Sequence, residues 1–113
     1  MSGATLSTHV LDTADGVPAR DMGVTLLGPE GPIGAGNTDN DGRCPGLVRA
    51  PLMPGRYRLE FDVAGYFRKR GVSLPAPPFL DLVQIDFGIA PGGGHYHVPL
   101  LVSPYGYSTY RGS

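Results

Sequence analysis

Apolar and polar positions alternate along most of this chain. From His95 to Val102, the residues Tyr96, Val98, Leu100 and Val102 fall on one side of an extended strand, and His95, His97, Pro99 and Leu101 on the other. The first set reads as core. The second places two imidazoles on one face, roughly 7 Å apart along the strand. Leu6, Thr8 and Val10 repeat the pattern near the start, opposite Ser7, His9 and Leu11. In the middle, Tyr57, Leu59 and Phe61 alternate with Arg56, Arg58, Glu60 and Asp62, the signature of a half-buried antiparallel strand. Gly23 to Leu27, Ile33 to Asn37 and Leu80 to Ile89 read as further strands, and Arg43 to Arg49 is ambiguous between a loop and a short edge strand. After Ser103-Pro104 a last strand carries Tyr105, Tyr107 and Tyr110. One segment breaks the period of two. Val63 to Arg70 follows a capping Asp62, ends in Arg68-Lys69-Arg70 and precedes Gly71, which predicts a short helix despite Gly65 inside it.

The connections are turn chemistry: Asp15-Gly16, Gly28-Pro29, Asp41-Gly42 and Ala90 to Gly94. With 18 glycines and 12 prolines in 113 residues but 41% hydrophobic residues, the chain has many turns and still enough apolar side chains for a core. Seven or eight short strands between such turns predict an all-β sandwich or barrel, and residues 1–113 form one domain at this length. The formal charge of −1 carries no nucleic-acid footprint. No apolar run reaches the roughly 18 residues of a membrane span. The single cysteine, Cys44, leaves no internal disulfide framework and fits a reducing compartment. The sequence opens on a strand pattern without a secretory signal, as expected of a cytoplasmic protein.

Candidate chemistry is confined to few residues. The three histidines, His9, His95 and His97, all lie on strands. Strand histidines are as readily structural as reactive. A zinc site competes for them, since an H-x-H pair with a third histidine can bind zinc, although no carboxylate or cysteine is clearly placed to complete it. Motifs of serine hydrolases, phosphate-binding loops and zinc proteases are absent. Arg43 leaves a turn and Arg111 lies near the end; each is a solvated side chain or a planar cation suited to a carbonyl or anionic oxygen.

The closing His95-Tyr96-His97-Val98-Pro99-Leu100-Leu101, Ser103-Pro104-Tyr105 and Tyr110-Arg111-Gly112-Ser113 resemble the 5-hydroxyisourate hydrolases, the transthyretin-related enzymes of purine breakdown. So do Ser7-Thr8-His9-Val10-Leu11-Asp12, Asp41-Gly42-Arg43-Cys44 and Gly55-Arg56-Tyr57 through Tyr66-Phe67, in the family's order. The resemblance implies a transthyretin-like sandwich of two four-stranded antiparallel sheets with one short helix. It implies hydrolysis of 5-hydroxyisourate without cofactor or metal, and a homotetramer, a dimer of dimers, with active sites between the dimers. His9, Arg43 and His97 are the implied catalytic residues; Tyr110, Arg111, Gly112 and Ser113 are the implied substrate-binding residues; the role of His95 stays open. Gly106 stands where some members carry serine. The alternative is a non-catalytic transthyretin-like protein that binds a small ligand. Pro99 lacks a ladder donor inside its strand and predicts a local irregularity.

Overall fold

The computed structural model describes residues 3–112. Burial follows the alternation. Tyr96, Val98, Leu100 and Val102 face the interior, next to Thr8 and Val10, and meet Tyr57, Leu59 and Phe61 from the middle of the chain. The strands are β1 (Ala4–Asp12), β2 (Val17–Pro18), β3 (Gly23–Gly28), β4 (Gly31–Asn37), β5 (Gly55–Asp62), β6 (Leu82–Ile89), β7 (Gly94–Ser103) and β8 (Gly106–Thr109), with one helix, α1 (Val63–Lys69). They form two four-stranded sheets, ordered β2-β1-β7-β8 and β4-β3-β5-β6. This is the two-sheet sandwich with one short helix that the sequence led us to expect.

Two expectations need correction. The first sheet is not wholly antiparallel: β1 and β7 run parallel, from Ala4 opposite Gly94 to Asp12 opposite Val102. A period of two is the same in either direction, and the long connection between these strands, which builds the whole second sheet, permits both. Residues 43–49 form no strand. Arg43 makes one isolated bridge to His9, and the chain then turns, with Leu47 N donating to the Cys44 carbonyl.

The helix forms where the pattern breaks. Asp62 Oδ1 accepts from Gly65 N at 3.1 Å, and Arg68 and Lys69 occupy the last turn. Gly65, a poor helix former, is there for a steric reason: a Cβ would sit 2.3 Å from Asp62 Oδ2. Val63, Ala64, Tyr66 and Phe67 are buried. Tyr66 donates its hydroxyl to Asp12 Oδ2 at 2.8 Å, while Asp12 Oδ1 accepts from Ala14 N and Asp15 N. This fully buried carboxylate joins the end of β1 to α1, with the Arg70 guanidinium 3.5 Å away. Burial and the Asp12 contact push the Tyr66 phenol well up, so it stays a donor.

The irregularity expected at Pro99 lies in its partner. β8 pairs with β7 as far as Thr109 opposite Leu100, and pairing resumes in the same register where Gly112 bridges His97. The break falls opposite Val98 and Pro99. Gly112 N donates to the His97 carbonyl at 2.8 Å, so alternate residues 97 and 99 turn their backbone polar groups to this side. Pro99 has no N–H to give there, and its carbonyl accepts the Thr109 hydroxyl instead, at 2.7 Å.

Candidate active site on the outer face of the first sheet

Because Tyr96 and Val98 point inward, His95 and His97 point out of the sandwich. The parallel register sets Thr5 beside His95, Ser7 beside His97 and His9 beside Pro99. His9 and His97 are therefore diagonal neighbours on one face, within reach of a common small molecule.

Arg43 joins them from a tight turn. Asp39 Oδ1 accepts from Asp41 N at 2.9 Å and Arg43 N at 3.0 Å, and Asp39 N donates to the Arg43 carbonyl. Gly42 completes the turn with φ +78°, its carbonyl accepting from Val10 N at 2.8 Å, and a Cβ there would sit 2.4 Å from the Val10 carbonyl oxygen. The turn thereby delivers Arg43 to the edge of β1, opposite His9.

On the other flank, Gly112 lies against His97. A Cβ on Gly112 would be 2.5 Å from His97 Cδ2, so the ring occupies the space that any side chain would take. Tyr110 is exposed. Arg111 is not among the histidines. Its guanidinium lies 3.9 Å from the centre of the Tyr96 ring, on the core side of the sheet edge, and its Nη2 donates to the His95 carbonyl at 3.3 Å. Ser113, also expected at the site, lies outside the described residues.

One participant was missed. The Ser7 hydroxyl lies 2.8 Å from His95 Nε2 and 2.7 Å from His97 Nδ1, and the Thr5 hydroxyl lies 2.6 Å from His95 Nδ1. Ser7 shares the polar face of His9 in the alternation, but only the β1–β7 register makes it a bridge. With Nδ1 engaged, Nε2 is the His97 nitrogen left for a ligand. Burial, then the charges of Arg43, His9 and His95, lowers the His97 pKa below its usual value, so the imidazole is neutral at neutral pH. Cys44, next to Arg43 in sequence, is buried; burial and the Asp39 carboxylate push its thiol up, away from the reactive thiolate.

Among the described residues, no three His, Cys, Asp or Glu side chains are grouped so as to hold a metal ion. Concave surfaces of the chain occur elsewhere, one beside β4 between Ile33 and Leu47, another around Arg56 to Arg58 and Asp86 to Gly88; neither is lined by a histidine.

Fold and site together define a two-sheet β-sandwich with imidazole and guanidinium groups on the outside of one sheet. Residues 6–112 match the model of the HIUase/Transthyretin family. The chain belongs to this family. It is 54% identical over 114 residues to a 5-hydroxyisourate hydrolase of Ralstonia nicotianae, covering 96% of this chain and 97% of that one. Among solved structures, the 5-hydroxyisourate hydrolase of Klebsiella pneumoniae superposes with a TM-score of 0.86 at 37% identity, covering 97% of this chain and 100% of that one. An (S)-allantoin synthase superposes with a TM-score of 0.91 at 40% identity, covering 99% of this chain, which spans 44% of that longer protein. Among the described residues no helix is long and apolar enough to cross a membrane.

Proposed function

We infer that the chain hydrolyses 5-hydroxyisourate, the product of urate oxidation, to 2-oxo-4-hydroxy-4-carboxy-5-ureidoimidazoline, the activity its relatives are named for. The observation that carries the reading is a neutral imidazole, His97, facing outward beside His9, with Arg43 on the far side of His9. Opening a cyclic amide with water needs a base, a place for oxyanion charge and a proton for the leaving nitrogen. His97 Nε2 takes a proton from the attacking water. Arg43 faces the carbonyl oxygen as its charge grows. The carbon–nitrogen bond then breaks, the nitrogen takes the proton from His97, and the new carboxyl group ionises. His9 orients the water and shares the proton transfers. Tyr110 and Gly112 close one side of the site, and Arg111 does so by turning from Tyr96 or by holding the terminal segment through it; Ser113 is assigned to substrate binding on family likeness alone. No metal or cofactor is needed for these steps.

The site is completed by assembly. The histidines lie on an open sheet face, and a wall opposite them comes from a second copy in a tetramer, a dimer of dimers. Exposed Leu82 on the edge strand β6 and Tyr107 on the edge strand β8 support further contacts between copies. A lone buried cysteine fits a cytoplasmic enzyme.

The test is direct. Purified protein added to freshly generated 5-hydroxyisourate should speed its ultraviolet decay and yield the ring-opened acid. Decay at the uncatalysed rate, with ligand bound but unchanged, would leave a ligand carrier of the same fold.

A further inference from the structure

We propose that Ser7 and His95 form a proton relay for His97, in which Ser7 carries the proton between the rings and His95 holds the positive charge during turnover. The proposal rests on the hydrolytic reading above and gives His95 a task within it.

The geometry allows two orders of donation through Ser7. A hydroxyl has one proton, and the Ser7 oxygen lies within hydrogen-bonding distance of one nitrogen of each ring. It can donate to one ring only while accepting from the other. For His97 to present a lone pair at Nε2, its Nδ1 must carry the proton and donate to Ser7, and Ser7 then donates to His95 Nε2. His95 Nδ1–H in turn donates to Thr5, which fixes the ring. This resting order is the one the proposal assigns, and it makes His97 the base.

When water gives its proton to His97 Nε2, the ring becomes a cation. It faces Arg43 from the turn and His9 from β1, with His95 on its own strand; Gly112 on the remaining side brings no charge, and Arg111 is turned to Tyr96. A cation is least favoured there. The His97 Nδ1–H bond breaks as Ser7 O–H forms, and the former Ser7 proton bonds to His95 Nε2. Only N–H and O–H bonds change. The charge moves from half-buried His97 to exposed His95, farther from the buried end of the site. On collapse, His97 gives its Nε2 proton to the leaving nitrogen, and the relay runs back. The lowered pKa of His97 agrees with this order.

Four variants and three readouts test it. Ser7→Ala and His95→Ala should each lower kcat by about 10- to 100-fold, by analogy with the cost of removing the partner that fixes the tautomer of a metal-bound imidazole. The double variant should be no slower than either single one, and Ser7→Thr should recover most of the rate. The proton inventory in mixed light and heavy water should show several protons in flight in the native enzyme and one in Ser7→Ala. Independent losses in the double variant, or a slow Ser7→Ala beside a normal His95→Ala, would mean that Ser7 merely holds the ring. Nitrogen-15 NMR of ligand-free protein judges the relay apart from activity. His97 should be an Nδ1–H tautomer that becomes mixed in Ser7→Ala; a tautomer indifferent to Ser7 overturns the relay even if the enzyme turns over. Failure of the native protein to turn over 5-hydroxyisourate, with the tautomer as described, would overturn the hydrolytic reading instead.

Discussion

Gly112→Ala is the smallest change that reaches the site. The added Cβ would lie 2.5 Å from His97 Cδ2, with His97 Cγ at 3.2 Å and Cβ at 3.3 Å. Ordinary contact begins near 3.4 Å, so the ring edge and the new methyl must part by about 1 Å. If the ring moves, it leaves Ser7, whose hydroxyl sits 2.7 Å from Nδ1. If the terminal segment moves, it gives up the 2.8 Å bond from Gly112 N to the His97 carbonyl. A misplacement of about 1 Å in a reacting group costs on the order of 10²-fold in rate, or about 2.7 kcal/mol of barrier. The core is untouched, so thermal unfolding should shift little. Steady-state kinetics on 5-hydroxyisourate separate the two relaxations: a displaced ring lowers kcat, and a displaced terminus raises KM. An alanine variant with native kcat and KM would refute the placement of the terminal segment against His97.

Arg43→Gln should slow hydrolysis and move the acid limb of kcat/KM upward, because the Arg43 charge lowers the His97 pKa; burial, the larger cause, remains, so the limb should stay below the ordinary value of 6.5. A limb that moves down, or not at all, would separate Arg43 from His97 electrostatically. The same depressed pKa should cost stability in acid, since the unfolded chain binds the proton first as pH falls through 6.5 and the penalty is complete below the folded value. Asp12→Ala strips partners from Tyr66, Ala14 N and Asp15 N and should destabilise the fold by about 3–5 kcal/mol in urea titration; a loss under 1 kcal/mol would mean that water replaces the carboxylate. Activity should survive exhaustive chelation, and a loss that zinc restores would reinstate a three-histidine metal site.

Local features were legible because local physics sets them. Tyr96, Val98, Leu100 and Val102 announced a core face by spacing alone, and Asp62, the basic run and Gly71 marked the helix. His9, Arg43 and His97 could be named from motif and family likeness. Their meeting on one face depends on the β1–β7 register, which no local pattern carries. Ser7 looked like any polar strand residue until that register placed it between two rings. Asp12 was hidden for the same reason, since its partner Tyr66 is far along the chain. The Arg111 stack on Tyr96 needs the terminal segment to run past an edge, a matter of tertiary geometry.

The parallel pairing of β1 with β7 also has a consequence for synthesis. Ser7 and His97 are 90 positions apart, so the two halves of the site leave the ribosome at opposite ends of translation. N-terminal segments emerge first, and β1 must wait for its central neighbour while the entire second sheet forms. Contacts this distant in sequence close slowly. Truncated products that end before β7 contain every strand of the β4-β3-β5-β6 sheet but lack His95 and His97 of the proposed site. Under the proposed site, chemistry is expected only in chains translated almost to Gly112, and prematurely terminated polypeptides should be catalytically silent.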